Sequence, residues 1–466
     1  MEGFLTGLKM FVDTLGATVL LPIIIFIIAV IMGAKAGRAF RAAVTIGIAF
    51  IGINLIIGLM WSNLSSVGQA MVTNLNIQRD VMDVGWPSAA SIAFGSQVGL
   101  WVIPIAILVN IVFLVLKITK TLNIDIWNYW HFAFVGSMVL AATGSLGMGL
   151  VAAAIAAALA LFLGDWTAKA VQSFYGTPGI SIPHLTTAPG VPFAIITNWI
   201  VDKIPGLNKL KADPETIRKR WGVFGEPVIL GLVIGLILGI LAFYNAGDFV
   251  TVLTKVLGTA MNLAAVMLLL PRMVQILMEG LIPVSEAARE FMKKRAAGRE
   301  IYIGLDSAIL IGHPAAISTA LLLVPIAVLL SIILPGNRVI LFADLAIIPF
   351  VVALFAPLMK GNIVRMVIAG MLELILGFYI ATGLADIFTQ TAIASNFAAP
   401  ENAVKITSIG DGFLWPVWLF TRLSQWLGWF GLVIIAALLA VAIFFYLKNS
   451  HKWEVVAGAP EETASE

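Results

Sequence analysis

Cysteine is absent from this chain of 466 residues, and charged residues are scarce. Without cysteine there is no disulfide, no thiolate nucleophile and no cysteine-ligated metal site. Charged residues make up only 11% of the chain, against about 25% in an ordinary soluble domain. A soluble fold of this length needs more charge to cover its surface. The composition therefore excludes a cytosolic enzyme, a disulfide-rich secreted scaffold and a disordered chain.

Three further absences exclude other classes of function. The four histidines, His131, His184, His313 and His451, are too scattered in sequence to indicate a metal site. No GxxxxGK[ST] loop is present, so the chain itself does not handle ATP. The net charge of +3 is too small for nucleic-acid binding on a chain of this length. We expect no metal, no cofactor and no nucleic-acid partner.

Apolar residues make up 60% of the chain, and their runs are long enough to cross a lipid bilayer. A span needs about 20 mainly apolar residues. Eleven stretches qualify, and the fourth and fifth are separated by the glycine-rich break TGSLGMG at 143–149. The predicted spans are 17–33, 42–61, 98–117, 130–148, 149–168, 222–243, 257–277, 316–334, 339–359, 363–385 and 427–447.

Positive charges predict the orientation of these spans, because Lys and Arg collect on the cytoplasmic side. With the N-terminus outside and eleven spans, 22 of the 28 Lys and Arg residues fall on the cytoplasmic side. The six on the outside are Lys9, Arg79, Lys255, Arg338, Lys405 and Arg422. An even number of spans would break this sorting. The C-terminal tail, 451–466, is then cytoplasmic.

The two halves of the chain resemble each other at an offset of about 221 residues. VIPIAILV at 102–109 aligns with LVPIAVLL at 323–330, which places Pro104 over Pro325. Chance similarity between apolar runs is the alternative. If the repeat is real, each half holds five spans and the halves insert in opposite senses. That architecture is typical of transporters with a substrate site near the membrane midplane.

Four segments are too polar or too rich in Pro and Gly to be spans, yet too apolar to be free loops: 84–99, 176–193, 304–318 and 397–416. Irregular backbone at membrane depth survives only where it is buried in protein or lines a wet cavity. We interpret the first and third as re-entrant hairpins that reach the substrate site, with ordinary loops as the alternative. Gln97 in the first is a candidate for substrate binding. The fourth could be a plain external loop.

His131 and His184 are the first two candidate ligands for a substrate. His131 opens the fourth span within IWNYWHFAF, where an aromatic belt at the membrane interface is the other interpretation. His184 lies in a Pro/Gly-rich segment beside Thr187, which is a further binding candidate, and a simple loop histidine is the alternative.

Asp306 is the third principal candidate, both as a substrate ligand and as a catalytic base. It is followed by Ser307 and then by an apolar run. Asp also favours the first position before a helix, so an ordinary helix cap is an equal alternative. Ser307 and His313 complete the binding candidates, and His313, which precedes Pro314, is the weakest.

Three other carboxylates lie in apolar surroundings. Asp344 and Glu373 fall within the ninth and tenth predicted spans, where an ionisable residue indicates function by default. Glu373 is eight residues from Arg365, about 12 Å along one helix and too far for direct contact. Glu226 precedes Pro227 in a pattern common at helix starts.

Several long segments of the sequence resemble a known family. The opening 60 residues, the segment YGTPGISIPHLTTAPGVPF at 175–193, WGVFGEPVILG at 221–231 and the region 304–340 are similar to galactitol-family IIC subunits of the phosphotransferase system (PTS). The resemblance extends to about residue 450 and includes the related ascorbate IIC subunits.

The resemblance implies an all-α integral membrane protein of about eleven transmembrane helices with an inverted five-plus-five repeat, a C-terminal helix and re-entrant hairpins. It implies a scaffold part at about 1–83 and 221–303 and a core part at about 84–200 and 304–426. The last helix is 427–447. A homodimer in the bacterial inner membrane is expected.

The function implied by the resemblance is import of a polyol coupled to its phosphorylation. The phosphate would come from a cysteine of a separate IIB protein, itself loaded by a IIA protein. In the ascorbate relatives two histidines and an aspartate contact the substrate, and His131, His184 and Asp306 lie in the comparable segments. The glutamines that follow the first histidine there are replaced here by Val135 and Gly136, which fits a different substrate.

The sequence is also compatible with two other functions. One is a secondary transporter in which Asp344 or Glu373 carries a coupled proton. The other is a membrane enzyme acting on lipid, for which no motif is present. The sequence also does not separate galactitol from arabitol or another hexitol, because such selectivity depends on one or two hydroxyl contacts.

Overall fold

Long apolar helices make up most of the computed structural model, which describes residues 7, 19, 22–27, 29–74, 79–210, 212–216, 227–295, 300–341, 343–397 and 404–461. The first nine helices are α1 (Pro22–Ile31), α2 (Ala36–Asn74), α3 (Trp86–Gly95), α4 (Gly99–Val115), α5 (Trp130–Thr143), α6 (Leu146–Tyr175), α7 (Gly190–Lys203), α8 (Pro227–Phe243) and α9 (Phe249–Arg295). The others are α10 (Ala308–Ile311), α11 (Pro314–Ile333), α12 (Ile348–Val352), α13 (Phe355–Leu358), α14 (Ile363–Ala394), α15 (Trp415–Leu427), α16 (Trp429–Lys448) and α17 (Ser450–Val456).

Six of the described helices are long and apolar enough to cross a membrane: α2, α6, the first part of α9, α11, α14 and α16. Helices α3 and α4 meet at an angle of 91° and would form a seventh span if they act as one bent pair. The prediction of a multi-span α-helical membrane protein is therefore confirmed. The number eleven is not established by this count, because α5 is shorter than a full span and the residues directly before α1 and α8 lie outside the described part of the chain.

The ninth predicted span, 339–359, is not one helix. The stretch divides into a short strand, a 3-10 turn at Leu345–Ile347, and the helices α12 and α13. Pro349 lies in the first turn of α12 and Pro357 lies within α13. Proline has no N–H to donate to the preceding turn, so a continuous helix is disfavoured here, and the ninth predicted span is broken into short elements.

Helices α5 and α6 form a tight hairpin at the predicted glycine-rich break. Gly144 ends α5 with φ of 70°, a left-handed conformation, and Ser145 caps α6 by accepting a hydrogen bond from the Met148 N–H at 3.3 Å. Glycine also allows the two helices to touch, because a Cβ on Gly136 would lie 2.5 Å from the Gly149 carbonyl oxygen. The predicted break between the fourth and fifth stretches is confirmed.

Two small parallel sheets lie among the helices. The strands are β1 (Val81–Asp83), β2 (Thr121–Asn123), β3 (Ile180–Ser181), β4 (Tyr302–Gly304), β5 (Val339–Ile340) and β6 (Lys405–Thr407). Sheet A has the order β5-β1-β6, and sheet B has the order β2-β4-β3. In each sheet the central strand comes from one half of the chain and both outer strands come from the other half. The sheets therefore tie the two halves together.

Ion pairs lie at the start of the strands in both sheets. In sheet A, Arg338 precedes β5 and donates from Nε to the carboxylate of Asp80, which precedes β1, at 2.9 Å. This hydrogen bond lowers the pKa of Asp80 below its usual value. Beside sheet B, Lys120 and Lys169 lie 3.4 and 3.5 Å from the carboxylate of Glu300. These pairs are partly exposed and contribute little stability individually.

The C-terminal segment, predicted as a polar tail, begins with a packed helix. Helix α17 contacts α6, and the Trp453 ring lies 5.1 Å from the Trp166 ring. The indole N–H of Trp166 donates to the Trp453 carbonyl at 2.6 Å. Glu454 is buried and accepts a hydrogen bond from the Tyr446 hydroxyl at 3.2 Å. Residues 462–466 lie outside the described part of the chain.

Candidate functional site

Polar side chains collect where the strands of sheet B end. Asp125 and Asn128 follow β2, His184 follows β3, and Asp306 follows β4. Because the strands are parallel, their carboxyl ends lie at the same edge of the sheet. Short buried strands thus deliver four polar side chains to one place.

His131 and Asp306 both contact His184. The Nε2 atoms of His131 and His184 are 3.2 Å apart, and His184 Nε2 lies 3.7 Å from Asp306 Oδ1. The His184 and Asp306 side chains are 6% and 21% exposed, whereas that of His131 is 1% exposed. Asp306 is therefore the member of the cluster that a solute can reach first.

Asn128 joins two carboxylates. Its amide nitrogen donates to Asp125 Oδ2 at 2.7 Å and to Asp306 Oδ2 at 2.9 Å, and its oxygen accepts from the Trp130 indole N–H at 3.1 Å. The other oxygen of Asp306 accepts from the Ala308 N–H at 2.8 Å. The N-cap residue of α10 is Ser307, so Asp306 lies one position before the cap that the alternative interpretation expected, and it belongs to the cluster.

Ser307 and Thr187 lie directly beside the histidines. The Thr187 hydroxyl donates to Ser307 Oγ at 2.8 Å and lies 3.4 Å from His184 Nδ1. Both predicted residues are buried, and the structure brings them to the cluster.

Asp411 is the contact that sequence reasoning missed. It lies in the turn after β6, and its Oδ2 is 2.8 Å from His131 Nδ1, with both side chains 1% exposed. Its other oxygen accepts from the Thr186 hydroxyl at 3.1 Å. The segment 397–416, for which a plain external loop is one interpretation of the sequence, supplies a strand of sheet A and a partner of His131.

Aromatic rings form the apolar wall of the site. The Trp86 ring stacks on Trp130 at 6.5 Å with an interplanar angle of 28°, and Trp130 lies 4.1 Å from the His131 ring. Phe350 of α12 stacks beside His184 at 6.4 Å. An apolar pocket with a few convergent polar groups is the usual form of a small-molecule site.

Comparison with known proteins identifies the family. The family model described as "PTS system sugar-specific permease component" matches residues 10–402. The chain belongs to this family. It is 40% identical over 430 residues to the "PTS system galactitol-specific EIIC component" of Escherichia coli (strain K12), covering 92% of this chain and 93% of that protein. The "Putative permease IIC component" of the same strain is 37% identical over 439 residues, covering 94% and 98% of the two chains.

Family membership indicates where this chain works and with which proteins. It is a membrane permease subunit of a phosphotransferase system, and such a subunit works with IIB and IIA phosphocarrier proteins. The helical content and the six to seven apolar spans of the described residues agree with this.

Two predicted ligands of the permease lie away from the histidine cluster. Gln97 is exposed in the bend between α3 and α4. His313 caps α11 by accepting from the Ala315 N–H at 3.2 Å, and its ring packs against Phe174 and Tyr175. The structure therefore does not bring Gln97 or His313 to the other candidates.

The three remaining carboxylates have different surroundings in the permease. Asp344 is fully buried and accepts from the Trp86 N–H at 2.6 Å and the Ser408 hydroxyl at 2.6 Å. Glu373 is buried in α14, and its Oε2 has no hydrogen-bond partner among the described residues. Arg365 pairs instead with Asp202. Glu226 lies outside the described residues.

The cluster offers hydrogen-bond donors and acceptors rather than a metal site. Within the described ranges no group of three or more His, Asp or Glu side chains is arranged to hold a metal ion. A carboxylate accepts from two hydroxyls, and a neutral imidazole donates and accepts at once. The arrangement therefore suits a ligand rich in hydroxyl groups.

Proposed function

We propose that this permease imports galactitol from outside the cell and releases it inside as galactitol phosphate. The observation that carries the proposal is the contact chain from His131 through His184 to Asp306, with Asp306 open to solute. The galactitol-specific relative in Escherichia coli is 40% identical over 92% of this chain, which supports a hexitol as the substrate.

The proposed role of the cluster is to bind and orient hydroxyl groups. Asp306 and His184 would contact hydroxyls of the polyol, and Thr187 and Ser307 would hold the His184 ring in place. In-line phosphoryl transfer needs mainly a well-placed acceptor oxygen. Asp306 is also the residue we assign to accept the proton of the reacting hydroxyl, because it is the more open carboxylate of the cluster.

The phosphoryl donor in this proposal is a phosphocysteine on a separate IIB protein, which a IIA protein reloads. The chain has no cysteine of its own, so a donor of this kind must come from a partner. We propose a homodimer in the bacterial inner membrane, with the N-terminus outside and the C-terminus in the cytoplasm.

We also propose the inverted repeat and eleven spans, and the sheets support the repeat. Met82 pairs with Ile340 and Ile406 in sheet A, and Ile303 pairs with Leu122 and Ile180 in sheet B. Each sheet thus has a central strand from one half and outer strands from the other. The central strands are 221 residues apart, as are the prolines inside α4 and α11, Pro104 and Pro325.

Competition for uptake tests the substrate. Membrane vesicles containing the permease, with phosphoenolpyruvate and the soluble phosphocarrier proteins, would be given labelled galactitol and a tenfold excess of unlabelled polyol. We expect galactitol to compete more strongly than arabitol or other hexitols. Equal competition by all polyols, or none by galactitol, would rule out galactitol as the specific substrate.

Proton-coupled transport is the second candidate, and Glu373 is the observation that favours it. A buried carboxyl with an unpartnered oxygen is a natural proton carrier. Asp344 fits this role less well, because its oxygens are occupied by Trp86, Ser408 and the Gly410 N–H. Uptake of unmodified polyol driven by a pH gradient would decide for this alternative.

A further inference from the structure

We propose that Asp411 is a positioning residue that fixes which nitrogens of His131 and His184 carry hydrogen, and that Asp344 holds Asp411 in place. This inference rests on the proposed function of the cluster. Asp411 is more than 200 residues from either histidine in sequence and belongs to the turn after β6. It does not touch Asp306 in any described contact, so its effect reaches the substrate through His131.

The tautomer of His131 follows from its neighbours. An ionised carboxylate only accepts hydrogen bonds, so the 2.8 Å contact with Asp411 places a hydrogen on His131 Nδ1. In the neutral ring, His131 Nε2 is then an acceptor. The 3.2 Å contact between the two Nε2 atoms requires one hydrogen, and His184 must supply it.

The same hydrogen bonds fix which ring nitrogen of His184 is the donor at the substrate site. With its hydrogen on Nε2, His184 has a donor that lies between His131 at 3.2 Å and Asp306 at 3.7 Å. Its Nδ1 then carries no hydrogen and lies 3.4 Å from the Thr187 hydroxyl oxygen, whose own hydrogen is directed to Ser307. Without the charge of Asp411, His131 is free to carry its hydrogen on Nε2 instead of Nδ1. Only one hydrogen fits between the two Nε2 atoms, so His184 Nε2 must then lose its hydrogen and become the acceptor. A change at Asp411 thus reverses donor and acceptor at the edge of the substrate site.

Asp344 holds the turn that carries Asp411. One oxygen of the buried Asp344 accepts from the Ser408 hydroxyl at 2.6 Å and from the Gly410 N–H at 3.2 Å. The turn has no spare room, since a Cβ on Gly410 would lie 2.9 Å from Trp86 Cβ. The backbone at Asp411 is therefore held in place by the hydrogen bonds that Ser408 and Gly410 donate to Asp344.

Asp344 also supports the His131 ring through a second set of contacts. Its other oxygen accepts from the Trp86 N–H at 2.6 Å, and the Trp86 ring stacks on Trp130, which packs against His131. Asp344 thus supports His131 through the turn and through the aromatic wall. This gives a buried carboxylate of the ninth predicted span a positioning role in place of proton transport.

Labelling the histidines tests the tautomers directly, because the chain has only four of them. The full-length permease, labelled with nitrogen-15 at histidine and held in lipid, would be studied by NMR, with His131→Asn and His184→Asn used to assign the ring signals. We expect a protonated Nδ1 on His131 and a protonated Nε2 on His184 in the unmutated protein. An unprotonated Nδ1 on His131 would overturn the proposal without any variant of Asp411.

A double-mutant cycle tests whether Asp411 acts through His131. In vesicles supplied with phosphoenolpyruvate and the phosphocarrier proteins, Asp411→Asn should lower kcat/KM for galactitol by at least about tenfold. In the His131→Asn background the same change should cost less than about threefold, because the residue that Asp411 orients is gone. Equal losses in both backgrounds would mean that Asp411 has only a structural role.

The two measurements separate this inference from the proposed function. If the unmutated permease phosphorylates no galactitol but shows the expected histidine signals, the proposed substrate is wrong and the tautomer assignment stands. If it phosphorylates galactitol and Asp411→Asn changes neither the His131 signals nor kcat/KM, the positioning role is wrong and the function stands. His451→Gln, at an exposed position in α17, is the control for labelling and activity.

Discussion

Asn128 makes Asp306 difficult to replace, because both of its amide hydrogens are donated to carboxylates. In Asp306→Asn, an amide nitrogen at either oxygen position would face a donor, the Asn128 amide or the Ala308 N–H. A hydrogen bond to a charged group is worth about 1.5 to 3 kcal/mol. We therefore expect affinity for galactitol to fall by about tenfold to 150-fold, with expression little changed.

Titration of galactitol into the purified permease measures that loss. The matched control is His451→Gln, which should bind as the unmutated protein does, because His451 is exposed in α17 and makes no described contact with the cluster. Normal binding by Asp306→Asn would show that the cluster is not the polyol site.

At this scale the sequence predicted the histidines and Asp306 but not their partners. His131, His184 and Asp306 were recognisable as polar residues beside apolar runs and by family resemblance. Asp411 was not, because its role depends on a contact across 280 residues and an Asp between two glycines also fits an ordinary turn. Asp125 and Asn128 were missed for a different reason, since they lie in or beside the aromatic segment that resembled an interface belt.

Strand β4 is the element that sets the spacing of the site. A Cβ on Gly304 would lie 2.9 Å from Asn123 Cα and 2.9 Å from Pro183 Cγ. In the chain, Asn123 is followed closely by Asn128, and Pro183 is followed directly by His184. We expect Gly304→Ala to lower galactitol phosphorylation by on the order of 10- to 100-fold through misplacement of these side chains. Vesicle assays at saturating and limiting galactitol would measure it.

Gly258→Ala is the matched control for this change. Gly258 lies in α9, and apart from its own stretch of helix backbone no described atom lies within 4 Å of the position that an alanine Cβ would occupy there, so the substitution should leave transport unchanged. The stability of this variant should rise slightly, by up to about 1 kcal/mol, since alanine favours helix. Unimpaired transport by Gly304→Ala would argue against a site built on sheet B.

Helix α17 should stabilise the permease although it follows the last span. Trp453 packs against Phe162, Trp166 and Tyr446. We expect Trp453→Ala to lower the free energy of unfolding by about 2 to 4 kcal/mol, seen as a lower Tm in detergent. The neighbouring Lys452→Ala, at an exposed position, should have no such effect. Equal Tm values for the two variants would show that α17 is not part of the folded core.

Helix boundaries could be predicted where a few neighbouring residues determine them. The glycine-rich break between α5 and α6 was identified correctly, because Gly144 and Ser145 have a direct role at helix ends. The breaks within 339–359 were not predicted, because the mean apolar character of the stretch concealed Pro349 and Pro357. The strands were missed altogether, since two- and three-residue strands have no periodicity to detect.

The whole molecule should cross the membrane an odd number of times. The sorting of 22 of 28 basic residues predicts that the N-terminus lies outside and the C-terminus inside. Reporter fusions at Lys448 and in the 289–300 region should therefore both be cytoplasmic. An exterior signal at either place would contradict the proposed orientation and the count of eleven spans.

Uptake into membrane vesicles is the most direct test of the central claim, that import and phosphorylation are one process. Vesicles would be given labelled galactitol, either with phosphoenolpyruvate and the soluble phosphocarrier proteins or with a pH gradient alone. We predict galactitol phosphate inside the first vesicles and no accumulation in the second, with much less galactitol phosphate formed by Asp306→Asn in the first. Accumulation of unmodified galactitol driven by the pH gradient would contradict the account.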